Sequence, residues 1–192
     1  MKDAEPSRTA EYMALFRALE SARSPEKRLF VDPFARAFVG RWLNAVVTLA
    51  HAPGGVHLVH RFIDHRWPGA RSSAVARTRF IDDRVCAAVA NGIEQLVLLG
   101  AGFDSRAYRL PGIDRVAVFE VDHPSTLDKK RRVIGATLGA VPSHVRFVAT
   151  DFNQGTLRGA MAAAGYGELR RTLFVWEGVT NYITESAVDE TL

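Results

Sequence analysis

The stretch LVLLGAGFDSRAYRL, residues 96–110, fixes the fold class of the chain. Leu96, Val97, Leu98 and Leu99 are apolar without alternation. That pattern belongs to a strand covered on both faces, as in a parallel sheet between layers of helices. Gly100-Ala101-Gly102 follows directly. Glycine tolerates positive φ and presents no Cβ to an approaching ligand. Asp104 and Ser105 then offer side-chain oxygens to cap a helix that opens at Arg106. Strand, glycine turn and helix start, in that order, make a ligand crevice at the carboxyl end of the first strand of an open α/β sheet. A GxG tripeptide alone is equally compatible with an ordinary tight turn, so the crevice needs support from downstream.

That support is a repeated pattern. Three further apolar runs, beginning at Val116, Val145 and Thr172, alternate with helical segments over Ser125–Leu138 and Thr156–Ala164, and another helix is expected to open at Thr184. Acids sit at the strand tips: Glu120 and Asp122 at that of the second, which His123-Pro124 stops, Asp151 beside Phe152 at that of the third, Glu177 at that of the fourth. Glu120 stands 20 residues after Gly100, the spacing at which a Rossmann-type crevice hydrogen-bonds a ribose diol. Asp122, two residues on, points the same way in an extended chain. Asp151 and Phe152 suit the amino group and ring of adenine; an N-cap aspartate beside a core phenylalanine accounts for them equally well. The helix over Ser125–Leu138 is basic (Lys129, Lys130, Arg131, Arg132) and is expected to face solvent.

Ahead of the first strand the chain is helical. Tyr12, Leu15, Phe16 and Leu19 share one face, and Asp32-Pro33 opens a second helix carrying Phe34, Phe38 and Leu43. Ala70–Asn91 is a long helix with Val75, Phe80, Ile81, Val85 and Val89 on its apolar face and Gly92 as its C-cap. Residues 1–69 are therefore expected to form a helical cap and residues 70–192 a cofactor-binding α/β core, one structural domain overall. Four histidines lie between residues 51 and 70, but without cysteine or HExxH-like spacing they predict a polar helix or loop and no metal site.

Composition bounds the classes. The 192 residues suffice for a substantial core, and 47% apolar with 24% charged residues is ordinary for a globular chain. No apolar run approaches the roughly 20 residues that span a bilayer, and the charged first residues do not resemble a secretion signal. A single cysteine, Cys86, fits a reducing cytoplasm. The formal charge of +4 comes from scattered arginines without a basic, aromatic-interleaved run, so neither nucleic acid nor membrane is expected as a partner.

Two cofactors suit a crevice of this kind. A dinucleotide brings a pyrophosphate and calls for GxGxxG; here Ser105 holds the third glycine position and Asp104 stands where phosphate charge would sit. S-adenosylmethionine has no phosphate, carries a sulfonium cation and ends in its own carboxylate. Acids at successive strand tips suit the cation, and an arginine such as one of those on the 70–91 helix suits the carboxylate. The expectation is that Glu120 holds the ribose hydroxyls, Asp151 and Phe152 the adenine, and Asp104 and Glu177 the methionine side. NAD-dependent oxidoreduction, from the shared acid spacing, and a non-catalytic cofactor-binding module are the competing classes.

The segments GAGFDSRAYRL, FEVDHP, VATDF and FVWEGVTNYIT, in that order, resemble the bacterial branch of the leucine carboxyl methyltransferase family, and the likeness extends through the N-terminal helices. The resemblance implies a Rossmann-like class I methyltransferase sheet and S-adenosylmethionine-dependent O-methyl transfer to a carboxylate or hydroxyl of a small organic or peptide-like acceptor. It also implies that Arg77 binds the cofactor's carboxylate, that Gly100, Ala101 and Gly102 form the glycine turn with Asp104 behind it, and that Glu120, Asp122, Asp151, Phe152 and Glu177 complete the site. A carboxylate acceptor needs no general base; for a hydroxyl, Tyr182 and His123 are the candidates. Family members have seven strands, and this chain stops after the fourth. It is therefore expected to be a C-terminally truncated form whose fourth-strand edge is covered by a second copy or a completing partner.

Overall fold

The computed structural model describes residues 8–150, 157–179 and 188. The chain divides into two compact units, one of residues 7–83 and a larger one built on residues 84–192. The division falls inside a helix.

The larger unit is a four-stranded, wholly parallel sheet. Its strands are β1 (Gln95–Leu99), β2 (Ala117–Asp122), β3 (Val145–Ala149) and β4 (Thr172–Trp176), in the order β3-β2-β1-β4. This is the α/β, Rossmann-like arrangement expected from the sequence. Every residue of β1 is buried, as its unbroken apolar run requires. Val97 and Leu99 pack with Phe119, Val121, Val148 and Met161 in one apolar cluster. Each parallel pairing needs a crossover, and helices supply them. Their chain order sends β2 and β3 to one side of β1 and β4 to the other. The strand order thus reverses at β1, and the switch point lies at its carboxyl end, where the glycine turn begins.

The helices of the smaller unit are α1 (Arg8–Ser21), α2 (Ala35–Phe38), α3 (Arg41–Ala50) and α4 (Gly55–Arg66), with α5 (Ala70–Ala90) crossing the boundary. Leu15, Phe16, Leu19, Val47, Val59 and Ile63 form its core. The helix expected from Asp32-Pro33 is shorter than its apolar spacing suggested: α2 begins after Phe34, and Leu43 falls on α3. Asp32 serves it from outside, its Oδ1 accepting from the backbone N–H of Phe34 and of Ala35, both at 3.0 Å, while its Oδ2 pairs with Arg17 at 2.8 Å. Residues 55–66, left between helix and loop by the sequence, are helix. α5 ends where expected: Gly92 at φ +75° turns the chain and donates to the Val89 carbonyl. Among the described residues, no helix is long and apolar enough to cross a membrane.

The remaining helices are α6 (Arg106–Arg109), α7 (Pro124–Leu138) and α8 (Leu157–Ala163). The helix expected from Thr184 lies outside the described residues.

Leu98, within β1, is 1% exposed. Truncation there removes packing on a sheet covered on both sides. Leu98→Ala is expected to lower the unfolding free energy by about 2–5 kcal/mol, read from the midpoint of a urea titration at unchanged m-value.

Candidate functional site

The glycine turn is fastened to the end of β2. Gly100 and Gly102 both adopt positive φ, at +67° and +42°. The N–H of Ala101 donates to the carbonyl of Val121 at 2.9 Å, and the N–H of Gly102 donates to Oδ2 of Asp122 at 2.7 Å. The other carboxylate oxygen of Asp122 accepts from the N–H of His123, also at 2.7 Å. Asp122 therefore closes the two strand ends on each other while remaining partly exposed at the tip of β2. One expectation for the turn needs correction. The space freed by the absent side chain of Gly100 is not open to a ligand: a Cβ there would lie 2.0 Å from Cγ2 of Val179.

Glu120 is placed differently from Asp122. β2 ends at Asp122, just before His123-Pro124 as expected, and this leaves Glu120 two residues inside the sheet. It has no exposed surface. Lys130 Nζ of α7, equally buried, lies 2.9 Å from its Oε1 in an ion pair that lacks the alignment of a hydrogen bond. The hydroxyl of Tyr108 donates to its Oε2 at 3.0 Å. No surface is left for a ribose hydroxyl, so the direct ribose contact expected of Glu120 is not what this geometry provides. Burial pushes the Glu120 carboxyl up to about 7, restrained by Lys130. Burial, with the Glu120 charge, likewise pushes the Tyr108 hydroxyl far above its ordinary value.

Lys130 corrects a third expectation. The basic helix does not simply face solvent. Leu127, Lys130 and Ile134 share its buried stripe, and Lys130 Nζ also donates to the carbonyl of Ala101 at 3.3 Å. Lys129 stands 4.8 Å over the Phe103 ring and Arg131 5.1 Å over that of Phe147.

At the β1 and β4 ends the acids are bridged by an arginine. Arg106, 3% exposed, pairs through Nη1 with Oδ2 of Asp104 and, at 3.1 Å, with Oε2 of Glu177. Oδ1 of Asp104 accepts the N–H of Arg106 at 2.8 Å, so Asp104, and not Ser105, caps α6. The two acids expected on the methionine side are thus brought together by a cation the sequence reading passed over.

His123 accepts through Nδ1 from the N–H of Ser125 and caps α7. Its neutral tautomer then carries the proton on Nε2, which is a donor and not a base. Arg77 lies on α5 in the unit of residues 7–83 and points its Nη2 to Sδ of Met13 at 3.6 Å. Asp151, Phe152 and Tyr182 lie outside the described residues. Among the described residues no three His, Cys, Asp or Glu side chains are grouped to hold a metal ion. His60 is half-buried with its pKa lowered to about 4, by burial first and then by Arg71.

A parallel sheet with its switch point at a glycine turn, and an acid at the neighbouring strand tip, defines an α/β protein of the Rossmann-like class. The chain belongs to the leucine carboxyl methyltransferase family, whose sequence profile matches residues 10–192. A relative from Frankia alni is 37% identical over 184 residues, covering 96% of this chain and 62% of its own length. One from Streptomyces coelicolor is 36% identical over 184 residues (94% and 61%), and one from Mycobacteroides abscessus 34% over 185 (94% and 58%). All three are provisionally named S-adenosyl-L-methionine-dependent methyltransferases. The chain spans 58–62% of the length of these relatives.

The raised Glu120 pKa has a signed consequence. The folded chain holds this proton more tightly than the unfolded one, whose value is 4.5. Stability from this group is complete below about pH 4.5 and is lost as pH rises through about 7. Between those limits wild type should lose stability relative to Glu120→Gln, at a slope approaching about 1.4 kcal/mol per pH unit. Urea unfolding at pH 5 and pH 8 measures the difference; parallel behaviour of the two proteins would contradict it.

Proposed function

We propose that this chain binds S-adenosylmethionine at the carboxyl ends of β1 and β2 and serves an O-methyltransferase. Its acceptor would be a carboxylate or hydroxyl on a small organic or peptide-like molecule. The observation that carries the reading is the pairing of the glycine turn with Asp122. Counting from Gly102, the residue Asp122 actually holds, gives the 20-residue interval of a ribose-binding acid. Membership of the family and the names of the relatives support the same cofactor.

The donor set fits an adenosyl group without phosphates. Asp122 offers the partly exposed carboxylate to the ribose diol, and the backbone of the glycine turn forms the floor beside it. Asp104 and Glu177, steadied by Arg106, border the side from which the turn leaves β1. Arginine there also offsets the repulsion between two neighbouring carboxylates. Bound in this crevice, the cofactor supplies a methyl group on a sulfonium. The chain's contribution is to fix the position of the donor, the part of catalysis that depends on orientation rather than on proton transfer. A carboxylate acceptor is already a nucleophile and needs no base, which agrees with His123 being committed to capping α7.

Isothermal titration with S-adenosylhomocysteine and with NADH tests this. Binding of the first and not the second is expected, and the reverse would overturn the reading. Asp122→Ala should weaken S-adenosylhomocysteine by roughly 1–3 kcal/mol, the loss for a charged hydrogen-bond partner. An unchanged affinity would remove Asp122 from the site.

A further inference from the structure

We infer that Lys130 is a positioning residue of the cofactor site, holding the glycine turn from beneath through the Ala101 carbonyl and the Glu120 carboxylate; this rests on the cofactor reading above. Four observations converge on it. Lys130 is fully buried, although lysine is among the residues least often buried without a partner. Its ammonium reaches both Glu120, at 2.9 Å, and the Ala101 carbonyl, at 3.3 Å, so a single group links β2, α7 and the middle residue of the turn. Tyr108 adds α6 to the same carboxylate. The Ala101 carbonyl also accepts the N–H of Asp104 at 2.8 Å, so the peptide that Lys130 holds is the one that orients Asp104.

Stability does not require such a pair. Two apolar side chains of similar volume in the same place would commonly hold a fold as well as a buried ion pair does, or better. What charge adds here is direction. A methyl group cannot fix where a carbonyl points, whereas an ammonium anchored by a carboxylate can. The backbone of Gly100, Ala101 and Gly102 must present its groups at a set height above the sheet for an adenosyl ligand to lie across it, and Lys130 sets that height.

The test compares Lys130→Met with the double variant Lys130→Met/Glu120→Gln, reading both thermal midpoint and S-adenosylhomocysteine affinity. Lys130→Met strands a buried carboxyl and should lower the midpoint. The double variant removes both charges, and its midpoint should recover toward wild type. If Lys130 positions the turn, affinity stays down roughly tenfold in the double variant, about what a lost hydrogen bond to a charged group costs. Recovery of affinity together with the midpoint would show a structural role only and overturn the inference. So would a double variant that fails to fold with no charge left buried. Should wild type not bind S-adenosylhomocysteine, it is the cofactor reading that fails. The tether is then read from amide hydrogen exchange at residues 100–102: faster exchange in the double variant supports it, and unchanged exchange overturns it.

Discussion

A carboxylate inside a parallel sheet is the constraint to which this structure answers. Glu120 sits in a strand whose other buried members are valine and phenylalanine, and a charge there is tolerable only with a counter-charge and a hydrogen-bond donor close by. Lys130 and Tyr108 meet that need from two different helices, α7 and α6. Neither helix can shift along the sheet without stranding the carboxylate. The polar cluster therefore fixes the register of both helices against β2, and with it the turn that joins β1 to α6. Apolar packing is nearly indifferent to small slides; an ion pair at 2.9 Å is not.

The acids at the strand ends are less alike than their repetition in the sequence suggests. Glu120 is sealed, Asp122 is partly exposed and holds two backbone N–H groups, and Asp104 and Glu177 share Arg106. Attraction of a sulfonium by a row of free carboxylates is accordingly too simple a picture of this crevice. Paired acids contribute mainly geometry, and the field they present is softened by their partners. On the proposed cofactor reading, discrimination against a phosphate-bearing ligand falls to the turn itself: α6 has only four residues, and its first N–H is already taken by Asp104.

Most of the architecture was legible in the sequence because it follows from period and punctuation. The spans of β1, β3 and β4 came directly from apolar runs bounded by turn residues, and α5 from its helical stripe and terminal glycine. What escaped was tertiary. His123-Pro124 marks the end of the second strand correctly, but Glu120 reads as part of its ligand-facing tip, when an acid within an apolar run can equally be an interior group awaiting a cation. The cation was visible too. Lys130 falls between Leu127 and Ile134 at helical spacing, on the stripe that faces the sheet, yet its basic neighbours made the whole helix look solvated. Two exceptions to pattern, one on a strand and one on a helix, were each other's explanation. Arg106 gave no such sign, since an arginine at a helix start is unremarkable until the fold brings Glu177 to it across 71 residues.

The strand order has a consequence for how the chain is made. β1 acquires β2 as soon as the intervening short helix has formed, but its other flank waits for β4, 77 residues further along. At ribosomal speeds of about 5–20 residues per second, that delay is roughly 4–15 seconds. Throughout it the most apolar strand of the nascent chain offers an open edge to whatever it meets. Production of this protein should therefore be sensitive to translation rate and to chaperone supply, more than its finished stability would suggest.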